Sequence, residues 1–312
     1  MPFEGEGLSR RILDLPGDLF MIRIFGTVLA GLLGLAFGSF LNVCLSRWPE
    51  VESVVHPRSH CRNCGRTLGW WENVPVVSWV ALQGRCRTCK TCISWRYPLI
   101  ELTVGVLWAY VVWQAAGNSF ERFISSGGPY GAAAMILLKM TFLWLLVALA
   151  VLDAEHLWLP NNLTMAGILV GMINLVVASI SARTFFILSR GALFAALSWI
   201  AAVLVSAGLV LAIRWAYWLI RRREGIGLGD AKLMAMLGAW LGLPGALLSF
   251  GIGVVLGALF AVVALAVPAA RRDSDRWLAA KLPLGTFLCI GGIASVLWGQ
   301  TIIAAYSRWA GF

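Results

Sequence analysis

Long apolar stretches separated by short polar segments make up the chain from residue 22 onward. A transmembrane helix needs about 20 mostly apolar residues, and eight stretches qualify as candidates. They lie near 22–46, 98–116, 134–152, 162–181, 192–213, 232–248, 249–268 and 283–304. Only a Gly-Leu-Pro-Gly segment at 242–245 separates the sixth from the seventh, so the sixth is short and a re-entrant segment is an alternative. The pattern predicts an all-α polytopic membrane protein with about eight transmembrane helices.

The longest polar interruption follows the first span. The sequence therefore predicts four parts, which are an N-terminal tail (1–21), a first transmembrane helix (22–46), a loop domain (47–97) and a transmembrane core (98–312). Composition agrees, because 60% of the 312 residues are hydrophobic and only 13% are charged, against about 25% charged in an average globular protein. These values exclude a disordered chain, collagen, a coiled coil and a disulfide-rich secreted scaffold.

The net charge of +10 would suggest a nucleic-acid partner for a soluble protein. In a membrane protein, however, Lys and Arg are enriched in the cytoplasmic loops. If the N-terminus lies outside, the four cytoplasmic segments hold 16 of the 25 basic residues, and they are 47–97, 153–161, 221–232 and 269–282. We therefore expect both termini outside, the loop domain in the cytoplasm, contact with lipid and no nucleic-acid partner.

Small residues recur at a spacing of four within the predicted spans. Such pairs let helices approach closely in lipid. We expect them to serve packing within the chain rather than dimerisation, and they are Gly34/Gly38, Gly167/Gly171, Gly238/Gly242 and Gly253/Gly257.

Five of the seven cysteines lie in the loop domain. Two C-x-x-C pairs separated by 21 residues are typical of a four-thiolate zinc site, and their members are Cys61, Cys64, Cys86 and Cys89. A reducing cytoplasm favours metal, although disulfides or free thiols are the alternative. Cys92 leaves open which sulfurs bind, and His56 and His60 are substitute ligands. We predict a structural zinc, because so short a loop has little apolar core and the metal would fold it.

Two of the six aspartates lie at the ends of predicted spans. Asp153 ends the third span ahead of Pro160, and Asp230 opens the sixth directly after Gly227-Leu-Gly229. An ionisable group at such a boundary is costly and marks a candidate functional site. The predicted topology puts both aspartates at the cytoplasmic face, so we expect them to be neighbours. Two carboxylates sharing one proton form the acid–base pair of aspartic proteases.

At this point the residues resemble a known family, the bacterial prepilin peptidases, which are bifunctional leader peptidases and N-methyltransferases of the GxGD aspartyl protease type. The resemblance covers about residues 40–300. Its motifs are Gly38-Ser-Phe-Leu-Asn-Val43, Arg47-Trp-Pro49, both cysteine pairs, Asn73-Val-Pro75, Gly84-Arg-Cys86, Arg96-Tyr-Pro98-x-x-Glu101, Asp153-x6-Pro160 and Gly227-x-Gly229-Asp230-x-Lys232. Each motif alone is weak, but their combined order is highly specific.

The resemblance implies an inner-membrane protease in which Asp153 and Asp230 are catalytic. Members of the family cut the basic leader from prepilins and pseudopilins at the cytoplasmic face. They then methylate the new N-terminal residue with S-adenosylmethionine. The cysteine loop is found in the bifunctional members, so its presence here implies both activities.

The resemblance also implies roles for residues outside the aspartate pair. Glu101 is assigned to the methyl-transfer site or to substrate binding. Cys92 is additional to the family's four ligands and is expected to be a bystander, and Asn161 stands where the family often has a second aspartate. The remaining motif residues expected to bind substrate or cofactor are Gly227, Gly229 and Lys232.

Three alternatives to a protease remain at this point. One aspartate could be a buried structural carboxylate paired with Lys232 or with a helix terminus. A proton- or cation-coupled transporter would use both aspartates as ion ligands, but it favours carboxylates near the bilayer midplane and inverted repeats, and we find no convincing repeat. A zinc-loop assembly factor of a pilus or secretion machine would need neither acid.

Overall fold

The computed structural model describes residues 17–118, 120–181, 190–223, 227–266 and 283–311. Within these ranges the regular secondary structure is helical, and two isolated antiparallel bridges are the only strand-like pairings. The helices are α1 (Gly17–Arg47), α2 (Val77–Ala81), α3 (Arg96–Asn118), α4 (Phe120–His156), α5 (Asn161–Ser181), α6 (Arg190–Arg221), α7 (Leu228–Ala266) and α8 (Leu284–Ala310), with a 3-10 helix at Trp70–Asn73. The all-α prediction is confirmed.

Seven helices in the described part of the chain are long and apolar enough to cross a membrane, so the chain is a multi-pass membrane protein. The sequence predicts eight spans, and the difference lies in α7. This helix has 39 residues and would be about 58 Å long at 1.5 Å per residue, whereas the hydrocarbon core is about 30 Å thick. Its backbone is interrupted at Gly242 (φ 67°, ψ 179°), two residues before Pro244.

The two halves of α7 run in opposite directions along α8. The first half of α7 runs parallel to α8. The two helices start side by side, because Gly229 and Gly285 both lie against Leu159, and further along Leu237 contacts Gly292. In the second half the order is reversed, with Gly257 near Phe287, Gly253 near Leu288 and Ser249 near Gly291.

The chain therefore turns back at Gly242. The reversal separates the predicted sixth and seventh spans, but the sixth ends at residue 241 instead of the predicted 248. Residues 228–241 form a helix only about 21 Å long, which is short for a full crossing. The left-handed φ at Gly242 is the physical reason for the shift, since a glycine adopts it without steric cost.

The chain divides into two compact units, Met1–Trp144 and Leu145–Phe312, and the boundary between them lies inside α4. In the first unit, α1 packs along α3, and glycines permit the approach. A Cβ atom at Gly38 would lie 2.7 Å from the Glu101 Cα atom, and one at Gly34 would lie 2.8 Å from the Gly105 Cα atom. The predicted four-part division stays a prediction. Residues 1–16 and 269–282 lie outside the described residues.

In the second unit, α5, α6 and α8 pack around α7. Gly171 lies against Ala239, and a Cβ atom at Gly238 would lie 2.5 Å from the Ala202 carbonyl oxygen of α6. The small-residue pairs therefore pack within the chain, as the sequence predicts. Gly242 is the exception, because it forms the turn and contacts no neighbouring helix.

We expect Gly238→Ala to destabilise the protein. The added methyl group meets the α6 backbone, and overpacking of this kind costs about 1–3 kcal/mol. Gly251→Ala in the same helix is the matched control, since its Cβ atom would meet nothing within 4 Å, and alanine is the better helix former. Thermal unfolding in detergent, followed by circular dichroism, should give a lower midpoint for Gly238→Ala alone. Equal midpoints for the two variants would contradict the tight α6–α7 crossing.

Candidate active site and metal centre

Asp153 lies in the last turn of α4 and has only 6% of its surface exposed. Its Oδ2 atom accepts a hydrogen bond from the backbone N–H of Thr286 at 2.7 Å, and the Thr286 hydroxyl, which shares its one hydrogen with the Ala150 carbonyl oxygen at 3.0 Å, lies 3.1 Å from the same atom. Thr286 lies in the first turn of α8, where backbone N–H groups have no partner within the helix. The aspartate thus satisfies a free donor at a helix end that also favours negative charge.

Asp230 lies in the first turn of α7 and is 8% exposed. Its Oδ2 atom accepts a hydrogen bond from the backbone N–H of Gly227 at 3.2 Å. Glycines beside the two aspartates allow close packing. Next to Asp230, a Cβ atom at Gly229 would lie 3.1 Å from the Leu159 Cβ atom. One at Gly285 would lie 2.9 Å from the Asp153 Cγ atom.

The structure brings the two aspartates together, as their predicted positions require. Their carboxylates are close enough to interact electrostatically, and both line one cleft of about 350 Å³. The other residues lining this cleft are Leu157, Trp158, Leu159, Asn161, Gly227, Leu228, Gly229 and Lys232. Of the motif residues predicted to bind substrate or cofactor, Gly227, Gly229 and Lys232 therefore lie in the cleft.

Lys232 does not pair with the aspartates. Its Nζ atom donates a hydrogen bond to the Asn161 Oδ1 atom at 2.6 Å. The ion pairs found among the described residues involve neither Asp153 nor Asp230. The two carboxylates are therefore held by backbone and hydroxyl donors. Of the structural alternatives, the structure does not contain the pair with Lys232, but it does contain contacts between the carboxylates and helix starts.

Sequence reasoning missed the contribution of α8. Gly285 and Thr286 contact Asp153, and the buried thiol of Cys289, one turn later, is close enough to both aspartates to interact with them electrostatically. These residues are uncharged members of an apolar helix. The only local signal was Pro283 directly ahead of the helix, since proline is common at a helix start.

The four predicted zinc ligands form a second cluster, in the first unit. The Sγ atoms of Cys61, Cys64, Cys86 and Cys89 all lie within 4.8 Å of one another. The Cys61 and Cys89 Sγ atoms are 3.7 Å apart. A tetrahedral site with zinc–sulfur bonds of about 2.3 Å requires sulfurs about 3.8 Å apart. The residues therefore fit a tetrahedral metal.

Each C-x-x-C pair is held by the same backbone turn. Cys61 donates its N–H to the Arg66 carbonyl and accepts from the Gly65 N–H, both at 2.9 Å. Cys86 pairs in the same way with Thr91 and Lys90. Gly65 and Lys90 both have positive φ, at 68° and 58°. Two copies of one turn thus present four sulfurs to a single point.

Polar contacts favour the thiolate form of Cys89 and fix the chain around the cluster. The Thr91 hydroxyl and backbone, together with Asn63, lower the pKa of Cys89 to about 5, which favours the metal-binding thiolate. The Arg66 guanidinium donates to the Glu72 carboxylate at 2.6 Å and, with the Gly69 backbone N–H, holds the pKa of Glu72 below its usual range.

The remaining candidate ligands lie outside the cluster. Cys92 forms the antiparallel bridge with Arg85 and is exposed. His56 and His60 are not among the clustered ligands of the described residues. The structure thus shows which four sulfurs come together, and Cys92 is not among them.

Glu101 is buried in the first unit, with 7% of its surface exposed. Its Oε2 atom accepts a hydrogen bond from the Val76 backbone N–H at 2.7 Å. Val76 has a positive φ of 59° and directly follows the Asn73-Val-Pro75 motif. Glu101 is therefore absent from the aspartate cleft, and it links α3 to the loop domain.

Comparison with known proteins finds two family matches, and each covers the region of one site. Residues 32–115 match the family described as the bacterial Peptidase A24 N-terminal domain, and residues 140–262 match the type IV leader peptidase family. The first match includes the cysteine cluster and Glu101, and the second includes both aspartates. No solved structure matches the chain.

Similar proteins are described as prepilin leader peptidase/N-methyltransferase. One from Stutzerimonas stutzeri is 32% identical over 89% of this chain and 92% of its own length. One from Pseudomonas aeruginosa is 33% identical over 90% and 93%, respectively. One from Myxococcus xanthus is 37% identical over 78% and 64%. The chain belongs to the type IV leader peptidase family.

Proposed function

We propose that the chain cleaves the leader peptide from type IV prepilins and pseudopilins and then N-methylates the new N-terminal residue with S-adenosylmethionine. The observation that carries the first activity is the pair of buried carboxylates, Asp153 and Asp230, which meet across one cleft without a cationic partner among the described residues. Family membership and the names of the relatives support both activities.

The aspartate pair performs general acid–base catalysis. One ionised carboxylate takes a proton from water as the water oxygen attacks the carbonyl carbon of the scissile bond, and the other carboxyl gives its proton to the carbonyl oxygen. When the resulting intermediate collapses, the C–N bond breaks and the leaving nitrogen takes a proton from a carboxyl group. Acid–base steps of this kind contribute about 10²–10⁴-fold in rate.

Thr286 is the positioning residue for Asp153. It holds the Oδ2 atom by its N–H and its hydroxyl. Fixed geometry matters because misplacing a reacting group by about 1 Å costs about 10²-fold. Gly227 and Gly229 leave backbone at the cleft open to an extended substrate segment, and Lys232, held by Asn161, lies at the same cleft.

The position of the cleft fits a prepilin, which carries a short basic leader followed by an apolar helix. Such a helix lies in the membrane beside the apolar helices of the enzyme, so its scissile bond falls at the interface. Asp153 at the end of α4 and Asp230 at the start of α7 occupy helix ends of this kind. A transporter would instead favour carboxylates near the bilayer midplane.

We assign the cleft to the cytoplasmic face of a bacterial inner membrane, with both termini on the periplasmic side. Basic residues concentrate in the segments on that face, as the positive-inside rule requires. The reversal of α7 at Gly242 gives an even number of apolar segments, which supports termini on one side.

The cysteine cluster holds one structural zinc in this proposal. The thiolates of Cys61, Cys64, Cys86 and Cys89 supply all four ligands, and the metal would stabilise a loop that has little apolar core of its own. Zinc here holds the loop domain in shape for methyl transfer, while S-adenosylmethionine is a substrate that supplies the methyl group. Oligomeric state has no part in the proposal.

We expect Asp153→Asn and Asp230→Asn each to reduce leader cleavage by about 10²–10⁴-fold, because each removes one partner of the acid–base pair. Purified variants would be incubated with a prepilin, and the shortened product followed by mass. Glu155→Gln is the control, since this carboxylate lies at the same helix end but does not line the cleft. Undiminished cleavage by both aspartate variants would refute the proposed protease.

Thr286→Val should lower kcat for cleavage about tenfold or more and leave KM nearly unchanged. The loss of the hydroxyl loosens Asp153, whereas the backbone N–H and the shape of the side chain are retained. Thr286→Ser restores a hydroxyl and should recover most of the rate. A rise in KM with kcat unchanged, or no recovery in the serine variant, would argue against a positioning role.

Cys86→Ser should lose zinc and methyl transfer, because a buried ligand is removed from a four-sulfur site. Elemental analysis of the purified wild type should give one zinc per chain, and a product mass increase of about 14 Da, the mass of one added CH₂, reports methylation. Cys92→Ser is the matched control and should keep both the metal and the activity. A metal-free chain that methylates at the wild-type rate would disprove the role of zinc.

A further inference from the structure

One buried carboxylate in the first unit has no part in cleavage. Glu101 lies within a membrane-spanning helix, where an ionisable group is costly and marks a functional site by default. Buried charges in proteins are normally paired with an opposite charge or bound to metal. Glu101 has neither within the described residues, since the ion pairs found there do not include it and the metal-ligand cluster excludes it.

The groups around Glu101 are neutral. Besides the Val76 N–H, the side chains of Ser39 and Asn42 form hydrogen bonds with its carboxylate. Asn42 is itself 97% buried and donates through Nδ2 to the Tyr97 carbonyl at 3.0 Å. Its Oδ1 atom is buried without a hydrogen-bond partner. An unpartnered amide oxygen and a carboxylate held only by neutral donors thus lie where α1 packs against α3.

A buried acceptor without a partner costs about 1–3 kcal/mol, so this site is complete only when a donor enters. A protonated amine fits two acceptors and a negative charge, because it offers three N–H groups and a positive charge. The proposed function generates such a group, because cleavage of the leader exposes the N-terminal amine of the mature pilin. Before cleavage the same nitrogen is an uncharged amide.

We propose that Glu101 and Asn42 bind the new N-terminal ammonium group and that Glu101 takes its proton before methyl transfer. This proposal rests on the methyltransferase activity proposed above. The carboxylate accepts one proton from the ammonium nitrogen, which frees the nitrogen's electron pair. The nitrogen attacks the methyl carbon of S-adenosylmethionine, the N–CH₃ bond forms, and the electrons of the broken CH₃–S bond remain on sulfur as a neutral thioether. Glu101 then releases its proton to water.

The role of Val76 gives a structural alternative, in which Glu101 only anchors the loop domain to α3. Glu101→Gln separates the two roles. A glutamine carbonyl still accepts the Val76 N–H, so the anchor remains, but the negative charge and the base are lost.

The first test follows methylation of a pilin-derived peptide that begins at the mature N-terminus. We expect Glu101→Gln to slow transfer of the methyl group by about 10²-fold or more, and Glu101→Asp to recover part of the rate. Zinc content and leader cleavage report that each variant is folded. Glu52→Gln, an exposed carboxylate of the loop domain, is the control and should match the wild type.

The second test measures binding without S-adenosylmethionine. The wild type should bind the free-amine peptide about tenfold or more tightly than its N-acetylated form, since hydrogen bonds to charged groups contribute about 1.5–3 kcal/mol. Glu101→Gln should lose this preference, and Asn42→Leu should weaken it.

The outcomes distinguish failure of the amine site from failure of the proposed methyltransferase activity. Wild-type methylation by Glu101→Gln, or an unchanged preference for the free amine, would overturn the amine site and leave the enzyme's two activities standing. A wild-type protein that cleaves the leader yet transfers no methyl group would overturn the methyltransferase itself and the amine site with it.

Discussion

A carboxylate inside a bundle of apolar helices is stable only where other polar groups take the place of water, and here the starts of two helices supply them. Asp153 accepts from the first turn of α8, and Asp230 accepts from Gly227, directly ahead of α7. Free N–H groups at a helix start are donors and also carry partial positive charge. The two carboxylates therefore need no ion pair with a lysine or arginine, and Lys232 in the same cleft donates to Asn161 instead. A cation paired with the two carboxylates would favour the ionised form of both, whereas an acid–base pair that shares one proton needs one of them protonated.

The reversal of α7 at Gly242 makes this arrangement possible. The first half of α7 starts at the cleft with Asp230 and runs away from it, and the second half returns the chain so that α8 starts beside Asp153. Without the reversal, α8 would begin at the opposite end, and Thr286 could not reach the aspartate. Tight glycine crossings such as Gly238 against α6 hold the short first half in place. The catalytic geometry thus depends on a backbone conformation that few residues besides glycine adopt.

The sequence predicts the charged and sulfur-containing parts of the sites better than the neutral parts. Asp153 and Asp230 stand out because an apolar chain offers few places for acids, and the cysteine spacing predicts its own cluster. Thr286 could not be found in the same way, since a threonine at the start of an apolar helix has no distinctive pattern. The partner of Lys232 could not be predicted either. Asn161 lies 71 positions away in the sequence, and only the parallel packing of α5 and α7 brings the two side chains together. The end of the sixth span was misplaced because hydropathy continues unchanged across Gly242, whereas the turn depends on φ.

Charge also gives a physical reason for the order of the two reactions. The nitrogen of the scissile peptide bond is uncharged and carries a single hydrogen, so it has little to offer a buried carboxylate such as Glu101. In the proposed reaction, cleavage at the aspartate pair converts that nitrogen into an ammonium group with three donors and a positive charge. The proposed site of Glu101 and Asn42 would therefore distinguish processed from unprocessed pilin by the charge of one atom. Methyl transfer would then follow cleavage, because the first reaction produces the group that the second site recognises.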